Sequence, residues 1–300
     1  MTTALPIPDR LRSVVVTHFG EVGSDWMERL PDLVAHAARV WQLDVGAPFE
    51  PGGNVSWVAP VARADGTAAV LKVTCPGHRN WWEAKALAHW AGRGAVRLFE
   101  SDEVNQTLLV ERCVPGATGD ELDVATGNEV VASVLAQLHA IDIQDHDFEP
   151  LDMLVERFRE KMWEWFDRFD QPFDRGIVAQ ADELFTSLLS SSADVVLLHG
   201  DLGPGNAVLS QRGWLGIDPY PFVGDRAFDV KQVLSLRDLR AAREEVTFFA
   251  DRLDLDVQRV AGWTFACCVQ RALQYRSVEN AVEQQEYLAR ADQLASLALG

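Results

Sequence analysis

Residues 197–229 read LLHGDLGPGNAVLSQRGWLGIDPYPFVGDRAFD and place His199, Asp201, Asn206 and Asp218 in the order H-x-D-x4-N-x11-D. The apolar runs VVLL before His199 and GWLGI before Asp218 predict short strands that bring these groups together. LGPG, between Asp201 and Asn206, carries too much Gly and Pro for a helix and reads as a loop. Transfer of a phosphoryl group from ATP needs a carboxylate near the acceptor hydroxyl and oxygen ligands that hold Mg²⁺ against the phosphates. Asp201 suits the first role, Asn206 and Asp218 the second. His199 has the chemistry of a general base, but after VVLL it reads better as a packed residue that orients its loop. Asp225 and Asp229 read as helix caps or loop anchors.

Outward from this stretch the chain changes character twice. Residues 8–44 carry apolar side chains at three- and four-residue steps (Trp26, Leu30, Leu33, Val34, Ala37, Val40, Trp41), a helical period. Pro31 is expected near a helix start rather than inside one. From 49 to 112 the runs VSWVAPVA, TAAVLKVT, AVRLFES and QTLLVERC predict strands, with Asp65-Gly66 as a hairpin turn and a helix near 79–92. After CVPGATG, the segments EVVASVLAQLHAI and MLVERFREKMWEWFDRF and the region 231–298 return to the helical period. The expected organisation is α+β: residues 1–113 as a sheet-rich lobe with helices, and residues 114–300 as a larger helical lobe carrying a small strand pair around the motif. A crevice between lobes is a common ligand site.

Composition narrows the partners. The net charge of −18 argues against nucleic acid or an anionic membrane, and it permits a cationic small molecule. MTTALPIPDR lacks the basic start and apolar core of a secretory signal, and no apolar run approaches the ~20 residues of a membrane span. Cys75, Cys113, Cys267 and Cys268 form no C-x-x-C pair and read as buried thiols in a reducing cytoplasm. A monomer is expected.

Several residues of the first lobe complete a nucleotide site. In FEPGGNVSWVAPV, Gly52, Gly53, Asn54 and Ser56 can present N–H groups to phosphate, although a Gly-Gly pair is also a common turn, and no G-K-[ST] follows. Lys72 is a cation inside the apolar strand AAVLKVT. It needs a carboxylate, a phosphate or the solvent edge, and Glu83 on the following helix is its natural partner. Lys85 and Arg79 are alternative cations. Glu111 to Cys113 end the last strand of the first lobe, where a joining segment offers backbone C=O and N–H to an adenine edge. His18, His36, His78, His89, His139 and His146 show no zinc-ligand spacing.

With these residues placed, the chain resembles the aminoglycoside phosphotransferases, in particular the streptomycin 6-kinase and hydroxyurea kinase branch. The resemblance is carried by GGNVSWVAPVARADGTAAVLKV, EAKALAHWAGRGAVRLFESDE, LLVERCVPG, HGDLGPGNAVL and WLGIDPYPFVGDRAFD. It implies a bilobal protein-kinase-like fold with an antiparallel sheet in the N-terminal, ATP-binding lobe. It also implies Lys72 as the phosphate-contacting lysine with Glu83 its partner, and Asp201 as the catalytic aspartate. Asn206 and Asp218 become the magnesium ligands, and Glu111 and Cys113 fall at the adenine hinge. The implied reaction is transfer of the ATP γ-phosphoryl group to a hydroxyl of an aminoglycoside, streptomycin first, with a sugar, amino sugar or hydroxyurea as alternative acceptors. A catalytically weak nucleotide-binding regulatory module is the reading from a different class. Gly203 stands where many relatives have histidine, Tyr220 where this branch often carries a charge, and Arg226 where proline is common. Acidic candidates for holding the acceptor are Asp120, Glu121, Glu279 and Glu283.

Overall fold

The alternation of small and β-branched residues in SWVAPVAR and AAVLKVT builds the hairpin around which the N-terminal part of the chain is organised. In the computed structural model, described over residues 5–76, 81–143, 146–170, 172–191, 194–232 and 241–299, helix α1 (Asp9–Val40) precedes a short strand β1 (Leu43–Val45). Strands β2 (Ser56–Arg63) and β3 (Ala68–Thr74) follow, then α2 (Trp81–Trp90), β4 (Leu98–Asp102) and β5 (Thr107–Glu111). The five strands form one antiparallel sheet in the order β1-β2-β3-β5-β4. The Asp65-Gly66 turn closes the β2–β3 hairpin, with Gly66 at φ +81° and Asp65 Oδ1 accepting from the Thr67 N–H at 2.9 Å.

The period of two sorts this sheet into two faces. Trp57, Ala59, Val61, Ala69, Leu71, Val73 and Leu109 are buried in one core with Leu11, Val15, Trp26, Leu30 and Val34 of α1. Val58, Val70, Lys72 and Val110 take the intervening positions, with Val58 paired to Lys72 and Val70 to Val110. Pro31 lies inside α1, against expectation. The helix instead breaks at Gly20 (φ +53°, ψ −125°), where only a glycine backbone is comfortable. The expected helix to residue 44 also ends at Val40, because residues 43–45 pair with β2.

The rest of the chain comprises α3 (Val124–His139), α4 (Leu151–Arg168), α5 (Arg175–Ser190), β6 (Val195–Leu198), β7 (Ala207–Ser210), β8 (Gly213–Gly216), β9 (Phe222–Asp225), α6 (Ala242–Leu253), α7 (Val257–Ser277) and α8 (Ala281–Ala298). Asp123, Asp174, Asp256 and Asn280 cap α3, α5, α7 and α8 with side-chain oxygens. Helix α7 is buried nearly all round from Val260 to Leu273, the pattern of a central helix. Phe228 meets its Trp263 edge to face at 5.2 Å.

Around the motif one small strand pair was expected, and the described residues form two. The two apolar runs are not partners of each other: β6 pairs with β9, and β7 with β8. This has a consequence for domain organisation. The chain divides into two compact units, one of residues 1–117 with 208–220, the other of residues 118–207 with 221–300. Residues 208–220 were expected in the second lobe, but their backbone bonds to the first unit: Val96 N–H to Gly216 O, Gly216 N–H to Gly94 O, Gly116 N–H to Leu209 O and Leu209 N–H to Ala117 O.

Candidate active site

Lys72 sits mid-strand in β3, and its side chain leaves the face opposite α1. Its ammonium donates to both carboxylate oxygens of Glu83 at 2.9 and 2.7 Å, and to Asp218 Oδ1 at 2.9 Å. Helix α2 supplies Glu83 and the segment after β8 supplies Asp218, so three sequence-separated residues of the first unit converge. Lys72 and Glu83 are 5% and 2% exposed, which rules out a lysine head in water. Burial alone pushes the Lys72 pKa down. The carboxylates of Asp218 and Glu83 outweigh it and hold the group above the ordinary lysine value. One ammonium thus bridges two carboxylates, one from α2 and one from the segment after β8. The alternative cation Lys85 lies 4.8 Å from the Trp82 ring centroid, and Arg79 is outside the described residues.

This triad lines a cavity of about 280 Å³ contained in the first unit. Its walls are apolar, with Val58, Val70, Val96, Val110, Val208 and Ile217 among them. Glu111 to Cys113, Pro115 and Gly116 also line it. Strand pairing stops at Glu111, so the residues beyond it lie outside the sheet ladder. The Glu111 carboxylate itself is used structurally: Arg212 Nε and Nη2 donate to it at 3.0 and 2.6 Å, and the Arg97 N–H at 3.1 Å. Burial raises its pKa, but these donors prevail and hold it below the usual carboxylate value. Burial, then the Glu111 charge, pushes the Cys113 thiol up to about 11, so Cys113 is a wall residue rather than a nucleophile.

The expected phosphate loop fits less well. Gly52, Gly53, Asn54 and Ser56 do not line this cavity. Ser56 is 4% exposed and its hydroxyl pairs with that of Thr74 at 2.9 Å, because a serine opposite a threonine on one sheet face satisfies both. The Asn54 side-chain oxygen accepts from Arg10 Nε at 2.8 Å.

The second unit carries Asp201 and Asn206. Both lie in the loop between β6 and β7, which includes a short 3₁₀ turn, Pro204–Asn206. Asn206 Nδ2 donates to the Asp201 carbonyl at 2.7 Å, fixing the loop across LGPG. The loop's entry is held by Asp229, which is fully buried. Its carboxylate accepts from the His199 N–H at 2.9 Å, the Gly200 N–H at 2.7 Å and His139 Nε2 at 2.9 Å. Burial raises the Asp229 pKa, but the His139 hydrogen bond, followed by neighbouring positive charge, holds it below the ordinary value. His139, which its spacing left without a role, is therefore part of the loop's support. A lone histidine at a helix end gave no signal of it. Asp225 is likewise an anchor, accepting from Ala227 N–H at 3.0 Å and from Arg259 Nε and Trp263 Nε1, each at 2.5 Å.

The acidic acceptor candidates occupy different settings. Glu121 Oε1 accepts from the Thr118 N–H at 3.0 Å in a capping box. Glu279 sits at φ +58° just after α7, and Glu283 in the first turn of α8, its N–H donated to Asn280 Oδ1 at 3.3 Å. Asp120 packs against the loop, where a Cβ on Gly205 would lie 2.6 Å from its Oδ2. Gly119 is required more strictly, since a Cβ there would lie 2.7 Å from the Pro204 carbonyl oxygen.

The first-unit residues suit a nucleoside triphosphate: apolar walls for a base, an ammonium for phosphate, and the exposed carboxylate of Asp218 for a hard cation. Among the described residues no group of three or more His, Cys, Asp or Glu could hold a metal ion by itself. Mg²⁺ is commonly bound by one or two protein oxygens together with substrate phosphates. No helix of the described residues is long and apolar enough to cross a membrane.

Comparison with known proteins gives a consistent answer. The family model described as aminoglycoside/hydroxyurea antibiotic resistance kinase matches residues 43–279. A streptomycin 6-kinase from Streptomyces glaucescens is 32% identical over 280 residues, covering 89% of this chain and 90% of that protein. A hydroxyurea phosphotransferase from Kitasatospora aureofaciens is 33% identical over 275 residues, covering 89% and 79%. Among solved structures, an aminoglycoside phosphotransferase crystallised with AMP-PNP and hygromycin B superimposes with a TM-score of 0.60 at 14% identity, covering 86% of this chain and 96% of that one. A choline kinase from Streptococcus pneumoniae gives 0.61 at 15% identity, covering 91% and 99%. These structural likenesses establish the protein-kinase-like fold.

Proposed function

The chain belongs to the aminoglycoside/hydroxyurea antibiotic resistance kinases, phosphotransferases with a hydroxyl acceptor, and on that footing we propose that it moves the γ-phosphoryl group of ATP to a hydroxyl of streptomycin or a related aminoglycoside. The observation that carries this reading is the buried Lys72 held between Glu83 and Asp218 in the lining of an apolar cavity. Lys72 neutralises phosphate oxygens, and Glu83 keeps its ammonium charged and aimed. The purine occupies the apolar walls, its polar edge on the backbone after Glu111.

Asp201 accepts, or orients, the proton of the attacking hydroxyl. An oxygen–phosphorus bond forms as the bond to the ADP oxygen breaks, and the proton leaves the hydroxyl towards Asp201. Asn206 and Asp218 are the residues that would hold Mg²⁺, which supplies charge neutralisation at the phosphates when bound. Most of the rate then comes from positioning and electrostatics rather than from covalent chemistry on the protein.

The second reading keeps the site and changes the acceptor to hydroxyurea, favoured by the hydroxyurea phosphotransferase of comparable identity. Incubation with Mg-ATP and a panel of streptomycin, other aminoglycosides, amino sugars and hydroxyurea separates the two. Phosphorylated streptomycin by mass spectrometry is expected. Turnover of hydroxyurea with none of any aminoglycoside would overturn the first reading.

A further inference from the structure

Lys231 lies two residues beyond Asp229, in the 3₁₀ segment Arg226–Gln232 of the second unit. Its Nζ donates to the Gly200 carbonyl at 3.2 Å and rests 3.7 Å from the Phe228 ring centroid. The same glycine gives its N–H to Asp229 at 2.7 Å. Gly200, at φ +77°, is therefore gripped on both sides, and the peptide bond after it is the one that begins Asp201.

We propose that Lys231 is a positioning residue for Asp201, its ammonium and the Asp229 carboxylate together clamping Gly200 so that the Asp201 carboxylate is presented in one orientation. This rests on the kinase reading above, in which Asp201 meets the acceptor hydroxyl. Asp229 alone fixes where the loop enters. Rotation of the Gly200–Asp201 peptide plane would still swing Asp201, and a charged donor on the Gly200 oxygen opposes that rotation. Hydrogen bonds from a charged donor are about twice as strong as neutral ones, so the clamp weakens when the amine loses its proton.

The surroundings put that loss within reach of experiment. Burial pushes the Lys231 pKa down to about 8. Cys267 and Arg271 face it from α7, Asp229 from its own segment and Asp201 from the loop; the acids draw it up and Arg271 draws it further down. The Cys267 thiol, raised to about 11 by burial, stays neutral through that range. Above about pH 8 the clamp should loosen and kcat should fall, while KM for ATP, set by residues of the first unit, should hold.

The test compares wild type with Lys231→Met and Lys231→Arg. Lys231→Met should lower kcat about 10- to 100-fold, the loss expected of a slightly misplaced catalytic group, with KM for ATP changed less than about twofold. Lys231→Arg, charged at all accessible pH, should keep most of the neutral-pH kcat and lose the alkaline fall. A readout that needs no acceptor is the ¹³C shift of the Gly200 carbonyl. It should titrate with a midpoint near the pKa of about 8 in wild type and stay flat in Lys231→Arg. An unmoved Gly200 carbonyl in wild type, or the same titration in Lys231→Arg, overturns the clamp. A titrating carbonyl in a protein that phosphorylates no acceptor would support the clamp and sink the kinase assignment instead.

Discussion

Arg212, in the turn between β7 and β8, grips both oxygens of Glu111 at the end of β5, with Nε and Nη2 at 3.0 and 2.6 Å. Its Nη1 also donates to the Gly92 carbonyl at 2.8 Å. One guanidinium thus ties the strand that leads into the proposed adenine rim to two loops of the same unit. Arg212→Lys keeps the charge but loses the planar fork, so it should not substitute. We expect Arg212→Lys and Arg212→Ala both to raise KM for ATP about three- to tenfold, with kcat changed less. Isothermal titration with a non-hydrolysable ATP analogue checks it, and equal affinity in all three proteins would remove Arg212 from rim positioning.

The Lys72–Glu83 pair makes a prediction about coupling. Removing one member takes an ion partner from a charge that is almost wholly buried, and losses of a buried partner run to about 3–5 kcal/mol. Lys72→Met leaves Glu83 without its ammonium, and Glu83→Gln leaves Lys72 leaning on Asp218 alone. The double variant should be more stable than the sum of the single losses, by about 1 kcal/mol or more in a urea-unfolding cycle. Additivity would mean the pair is not energetically coupled. Each single variant should lose about a hundredfold or more in kcat, because positioned charge at the phosphates supplies most of the rate.

What could be read from the residues followed from local chemistry. Lys72 inside an apolar strand called for a carboxylate, a phosphate or the solvent edge, and Glu83 on the next helix, named as its natural partner, meets it at contact distance. The β2–β3 hairpin followed from Asp65-Gly66 and period-two alternation. Strand partnership was not legible: nothing in VVLL or GWLGI states that β6 pairs with β9 while β7 and β8 join the first unit, because register and partner are set by tertiary packing. Ser56 shows the same limit. A hydroxyl after two glycines looks like a phosphate donor until the cross-strand neighbour, Thr74, is known. Arg212, His139 and Lys231 act through backbone carbonyls and carboxylates distant in sequence, and such partnerships leave no local pattern.

Asp201 should be separable from nucleotide binding. Its loop belongs to the second unit, whereas the cavity and Lys72 belong to the first. Asp201→Asn preserves shape and removes the charge that accepts or orients a proton, a contribution of about 10²–10⁴-fold. Turnover should fall by at least that factor while the affinity for an ATP analogue stays within about twofold. Wild-type turnover in the variant would remove Asp201 from its role.

Asp229 makes acid stability the most direct test of the loop's support. Its folded-state pKa lies below the ordinary carboxylate value of 3.8, since the His139 hydrogen bond and nearby positive charge overcome burial. A carboxyl with a depressed folded pKa binds its proton less readily when folded than when unfolded. Its contribution is therefore present above the unfolded value and is lost as pH falls through the folded one. The wild type should lose stability below about pH 4 partly for this reason. Asp229→Asn is similar in shape but presents N–H donors where His199, Gly200 and His139 already donate. We expect it to cost about 2–4 kcal/mol at neutral pH, combining a lost buried acceptor with donors left unmatched. Its stability should then fall less steeply than the wild type's as pH drops below about 4, because the group that took up the proton is gone. Urea-unfolding midpoints across that range measure both effects. An acid slope unchanged by the substitution would place the pH dependence elsewhere in the molecule, and an unchanged midpoint at neutral pH would show that the loop entry stands without Asp229.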